Sequence, residues 1–294
     1  MGDEHKGTTL PRELTQLEYE AQLAAAPPVV RLAYRGELQV SSESLAGERR
    51  PDAIAQLFLG TALRVEDALA RFELPVACRP GCSRCCHGTK VNVSVPEALA
   101  IADVLRNAAG EESAELESQV VGAAAQMREL DIRERWREQV PCVFLDTEAG
   151  QCSIYPVRPL ACRQHHSVDV FECERAAADG SGESRVRTRA LIDAVWGAAR
   201  SAVRYACQNA GLDDRPFELT NAVAFAMKFP EARERWTRGE RLFDAARIPS
   251  DDADATLAAS DLAEVGALIP EQTLLRRPTS TERNKKKRER KGRK

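Results

Sequence analysis

Eight of the nine cysteines in this 294-residue chain fall between Cys78 and Cys173, and no other feature narrows the possible folds as much. Structural thiols that merely pack a core are scattered; a crowd of this density marks a shared site. The amino terminus, Met1 to Thr9, is polar and acidic and does not read as a secretory signal. No apolar run approaches the roughly 20 residues that a membrane span needs. A cytoplasmic, reducing setting is therefore expected, where clustered cysteines point to metal ligation before disulfides.

The rest of the chain predicts a mainly α fold: a helical domain with a loop-rich cysteine metal site and at most one or two short strands. Aromatic residues are sparse while Ala, Leu and Val abound, which suits helices packed at close range. A short helical pattern covers Pro11 to Ala25. Pro51 opens a stronger one, with Ile54, Phe58, Ala62, Val65, Leu69 and Phe72 at helical spacing. Val91, Val93 and Val95 alternate with polar residues, as in one short strand. Pro96 then opens a helix with Ile101, Val104, Leu105 and Ala108 on one face and Gly110 as its stop.

A single long helix is expected from Ser113 to about Gln139, with Leu116, Val120, Ala124 and Met127 inward. Residues 142 to 175 have the Gly and Pro content of loops and turns. Helices resume at about Arg187 and again over Leu219 to Phe229. Three segments follow: a loosely assigned 1–50, a helical cysteine-cluster domain at 51–248, and a polar linker with a basic tail at 249–294. Between Arg276 and Lys294 the tail carries 11 Lys or Arg against two Glu.

The first cysteine group, Cys78, Cys82, Cys85 and Cys86, is interrupted by Pro80 and Gly81, which can turn the backbone so that sulfurs meet one ion about 2.3 Å away. The second group is Cys142, Cys152, Cys162 and Cys173. Eight thiols can form two four-coordinate sites or one polynuclear cluster. Side chains of adjacent residues point apart on an extended chain, which assigns Cys85 and Cys86 to different metals or to different atoms of one cluster. The spacing matches neither the bacterial nor the plant-type ferredoxin run. Four thiolates around one divalent ion leave net negative charge, and Arg79, Arg84, Arg158 and Arg163 stand beside the cysteines to offset it. His87, His165 and His166 are further candidate ligands, with exposed or supporting histidine as the plainer reading. Cys207 lies on an apolar helical face and reads as core packing. Tyr155 reads as a residue that holds its loop.

Cys78 to His87, the strand-like Val91 to Val95 with Glu97, Pro141 to Leu145, and Cys152 to Arg163 together resemble the YkgJ-like cysteine-cluster family, named for its CxxCxxCC run. The resemblance spans about a third of the chain and implies binding of zinc or iron, without implying an agreed reaction. Two departures stand out. The first gap holds three residues rather than two, and His165 and His166 follow Cys162-Arg163. Zinc, iron or an iron–sulfur cluster all remain open as the cofactor. Two other functions compete with a simple metal-binding protein: a metal-dependent redox enzyme with an open iron site, and an interaction protein that docks on RNA or another anionic partner through the basic tail. No catalytic residue is assignable.

Overall fold

The computed structural model describes residues 14–109, 113–182 and 184–247. The basic stretch Arg276–Lys294, Gly110 and the start of the Pro11–Ala25 pattern lie outside the described residues. The fold is mainly helical, as the sequence predicts. Among the described residues, the strands are four two-residue segments in two small antiparallel ladders.

Helix α1 (Gln16–Leu23) opens with a capping box: Thr15 Oγ1 accepts from the Glu18 N–H, and Glu18 Oε2 accepts from the Thr15 N–H. Helix α2 (Pro28–Ala46) begins with proline at its first position. Both lie on the longest helix, α10 (Ala190–Asn209), which is numbered here by its place in the chain. Ala194, Ala198, Ala199, Ala202 and Ala206 are buried on α10, and these small side chains allow close approach. Tyr19, Tyr34 and Tyr205 fill the remaining space, with ring centroids 5.4 to 6.4 Å apart.

The helix expected from Pro51 to Phe72 is two helices, α3 (Pro51–Gln56) and α4 (Leu59–Leu69). The break falls at Leu57 and Phe58, both buried. It lets α3 pack on α5 (Val95–Ala109) while α4 packs on α10. Ile101 and Leu105 of α5 are buried as expected, whereas Val104 faces solvent.

The expected helix from Ser113 to Gln139 is likewise divided, into α6 (Ser113–Glu129) and α7 (Ile132–Arg137). Asp131 caps α7, accepting from the Glu134 N–H at 2.8 Å, while Glu134 accepts from the Asp131 N–H at 2.9 Å. Val120, Ala124 and Met127 are buried, and Leu116 packs against the core from its edge.

Strand β1 (Asn92–Val93) pairs with β4 (Phe217–Glu218), with Asn92 opposite Glu218 and Val93 opposite Phe217. Strands β2 (Leu145–Asp146) and β3 (Gln151–Cys152) form a hairpin. Within the stretch read as loop, α8 (Leu160–Gln164) and α9 (Val170–Asp179) are helical, so Cys162 and Cys173 sit on helices. Asp169 caps α9 through the Phe171 N–H, and Gly180 closes it in the left-handed region at φ 64°. Helices α11 (Leu219–Lys228) and α12 (Ala232–Thr237) complete the set, α11 packing on α5 and α6.

Candidate metal centre

Cys78 follows α4 on a surface segment tied down by Ser167. The Ala77 N–H donates to the Ser167 carbonyl at 2.8 Å, and the Ser167 N–H donates to Cys78 Sγ at 3.4 Å. A tight turn follows, in which the Cys82 N–H reaches the Arg79 carbonyl at 3.0 Å and Gly81 takes φ 81°. Arg84 to Cys86 form one 3₁₀ turn. The chain is therefore not extended at Cys85–Cys86, so the premise on which these neighbours were expected to point apart is absent.

The two cysteine groups are joined by backbone. The Cys142 N–H donates to the Cys86 carbonyl at 2.8 Å, and the Gly88 N–H donates to the Val140 carbonyl at 2.8 Å, with His87 opposite Pro141 in a short antiparallel bridge. The β2–β3 hairpin then brings Cys152 back: it lies opposite Leu145, whose N–H donates to the Cys142 carbonyl at 2.9 Å. Asp146 accepts from the Glu148 and Ala149 N–H groups and closes the hairpin turn. Cys162 is placed by the start of α8. There the Leu160 N–H donates to Glu97 Oε1 at 2.8 Å, while Glu97 Oε2 accepts from the Ser94 N–H and hydroxyl. Cys173 comes from α9, which packs on the 3₁₀ turn and is linked to it by Arg84 and Glu174 at 3.1 Å.

Charge coupling maps the outcome. Cys85 is within range for its charge to act on Cys142, Cys152, Cys162 and Cys78. Cys78 in turn feels the charges of Cys82 and Cys173. The Cys85 thiol is pushed up, first by its hydrogen bond with Cys86 and then by burial. Burial pushes Cys142 up to about 12, helped by Cys152, Glu218 and Cys85. Cys162 rises through burial, with Cys142, Cys85, Cys152 and Glu97 adding to it. Cys152 rises less freely, since the Ile154 N–H and Arg158 oppose the effect of burial. All eight thiols are free. Among the described residues, however, no three Cys, His, Asp or Glu side chains form a ready-made metal cage. The sulfurs share a neighbourhood without converging on one point.

Behind Cys142 is a cavity of about 50 Å³ lined by Gly88, Thr89, Arg135, Val140, Cys142 and Glu218. The buried Arg135–Glu218 pair, 3.4 Å apart, crosses it, and Arg135 also donates to the Met127 carbonyl at 2.6 Å.

The histidines divide. His166 is buried, with Nδ1 2.7 Å from the Gln164 carbonyl and Nε2 accepting the Arg189 N–H at 2.7 Å. Both ring nitrogens are engaged, which makes it a structural link between α8 and the start of α10. His87 places Nδ1 3.4 Å from the Gln139 carbonyl, and His165 is exposed. Cys207 is 2% exposed within the core, as its apolar helical face indicates.

Among the arginines, Arg163 does not serve the sulfurs. Its nitrogens donate to the Arg158 carbonyl, the Pro156 carbonyl and Glu66, so it clamps the turn before α8 to helix α4. Arg84 is exposed and paired with Glu174, and Arg79 is exposed. Arg158 does bear on the thiols, its charge opposing the upward shifts of Cys85 and Cys152. Sequence reasoning did not assign Glu97 a role, although Ser94-x-x-Glu97 before an apolar helix is a capping-box signal.

Residues 77–182 match the CxxCxxCC family, described as "Putative zinc- or iron-chelating domain". The matched stretch contains all eight clustered cysteines, so the family resemblance carried by the cysteine runs holds over these residues. No curated protein and no solved structure matches the chain. No described helix is long and apolar enough to cross a membrane.

Proposed function

We propose that this protein binds zinc or iron, singly or as an iron–sulfur cluster, through Cys78, Cys82, Cys85, Cys86, Cys142, Cys152, Cys162 and Cys173. The observation that supports the reading is the main-chain bonding between the two cysteine groups, Cys142 N–H to the Cys86 carbonyl, with all eight clustered thiols free. The donor set fits such a cation: thiolate is a soft ligand that suits zinc and iron–sulfur clusters alike. Bound metal supplies the positive charge that mutually repelling buried thiolates lack. The protein's own part is to hold the sulfurs close on short turns and to release their protons as the cation enters. Closure of the sulfurs onto one point then accompanies binding, which agrees with a neighbourhood that is assembled but not caged.

Metal analysis and an absorption spectrum on protein purified anaerobically under reductant test the reading. Stoichiometric zinc without colour, or iron with visible absorbance, is the expected result. Protein free of both metals overturns it.

A further inference from the structure

Arg158 presents a buried Nε with no hydrogen-bond partner. An unmade hydrogen bond at a buried polar group is costly, and more so where the group is charged. The surroundings nevertheless hold this side chain in place. Its guanidinium lies 4.6 Å from the centroid of the Tyr155 ring. The Arg158 N–H donates to the Tyr155 carbonyl at 3.3 Å, and the Arg158 carbonyl accepts from Arg163 Nε at 3.1 Å. The residue sits on the short link between Cys152 and Cys162, within range for its charge to act on Cys85 and Cys152. Its neighbours are spoken for: Arg163 is held by Glu66 and two carbonyls, and Arg84 by Glu174.

We propose that Arg158 is the positioning cation of the metal centre, its Nε–H donating to thiolate sulfur once metal is bound and its charge offsetting the negative charge of the ligand set. This rests on the metal-binding reading above. A donor to a ligating atom orients that atom and tunes the metal, and losing such a donor costs about 10- to 100-fold in affinity. Arginine suits the place better than lysine. A planar guanidinium can stack on Tyr155 and still aim one fixed N–H, whereas an ammonium is a point charge on a flexible stem.

The test uses full-length protein stripped of metal under anaerobic reductant. Zn²⁺ affinity is read by competition with a chromophoric chelator, and Co²⁺ serves as a spectroscopic probe through its thiolate charge-transfer band. Arg158→Gln should weaken Zn²⁺ binding about 10- to 100-fold and shift the Co²⁺ band. Arg158→Lys should recover part of the loss. Arg50→Gln, which removes the same charge at an exposed position paired with Asp52, should leave both unchanged. Helical circular dichroism checks the fold, and Arg158→Lys decides the matter if Arg158→Gln unfolds. Wild-type affinity and an unshifted band in the folded Arg158 variants would overturn the proposal while leaving metal binding intact. Wild-type protein that takes up neither zinc, cobalt nor iron would bring down the metal-binding reading and this one with it.

Discussion

The Cys142 N–H donates to the Cys86 carbonyl at 2.8 Å, which joins the two halves of the cysteine centre through the main chain. Beside it the Gly88 N–H donates to the Val140 carbonyl, and Gly88 holds φ 77°. The centre therefore depends on backbone that a side chain can obstruct.

Gly88→Ala tests that dependence. A Cβ at this position would lie 2.8 Å from Trp136 Cα and 3.0 Å from the Arg135 carbonyl, both backbone atoms that cannot step aside. Strain at positive φ adds about 1–2 kcal/mol. The total loss of stability should exceed about 2 kcal/mol, with metal content falling as the bridge opens. Gly81→Ala is the comparison, since its φ is 81° but nothing lies within 4 Å of the new Cβ. It should cost only the strain, about 1–2 kcal/mol. Denaturant melts of both variants check the order, and equal losses would contradict the steric account.

Glu97 connects the starts of α5 and α8 with one carboxylate, and α8 carries Cys162. Glu97→Ala leaves the Ser94 and Leu160 N–H groups without their acceptor, at about 1–3 kcal/mol. It should also reduce Zn²⁺ affinity, because the helix that presents Cys162 loses its anchor. Glu97→Gln keeps one acceptor oxygen and should recover part of both. Affinity unchanged in a destabilised Glu97→Ala protein would separate Glu97 from the centre.

Two residues that share chemistry with the ligands should not affect loading. Cys207 is surrounded by core, so Cys207→Ala should cost about 1 kcal/mol, the typical size of a destabilising substitution, at unchanged metal content. His166→Ala removes a ring bonded at both nitrogens and should cost about 1–3 kcal/mol, again without loss of metal. Cys142→Ser or Cys85→Ser should do the reverse, lowering metal content more than either control. Elemental analysis beside thermal melts reads all four variants.

Helical spacing made α4, α5, α10 and α11 legible, since a buried stripe at period 3.6 leaves a direct pattern in the apolar residues. The division at Asp131 was obscured because α6 and α7 continue the same charged surface, and only the Asp131–Glu134 capping pair marks the stop. The crowding of cysteines, and the family match that contains it, was legible from density. The assembly of the centre was not, because the Cys86–Cys142 bond and the β1–β4 pairing are made by main chain and do not depend on residue type. Arginine roles were equally hidden: charge beside a cysteine says nothing of direction, and Arg163 turns towards Glu66 while Arg158 stays with the thiols.

Metal removal should act locally before it acts globally. The stretches Cys78–Cys86 and Cys142–Cys162 are built of tight turns, two-residue strands and a five-residue helix, elements with little stability of their own. The α2–α10 pair and α11 have extensive apolar burial and contain none of the eight clustered cysteines. Chelation should therefore raise amide exchange and protease sensitivity across Cys78–Cys86 and Cys142–Cys162, while exchange in α2 and α10 stays slow. Mass-resolved hydrogen exchange on loaded and stripped protein measures this. Uniform protection before and after chelation would mean that the thiols hold their arrangement without a cation, and that the link between metal and local order is wrong.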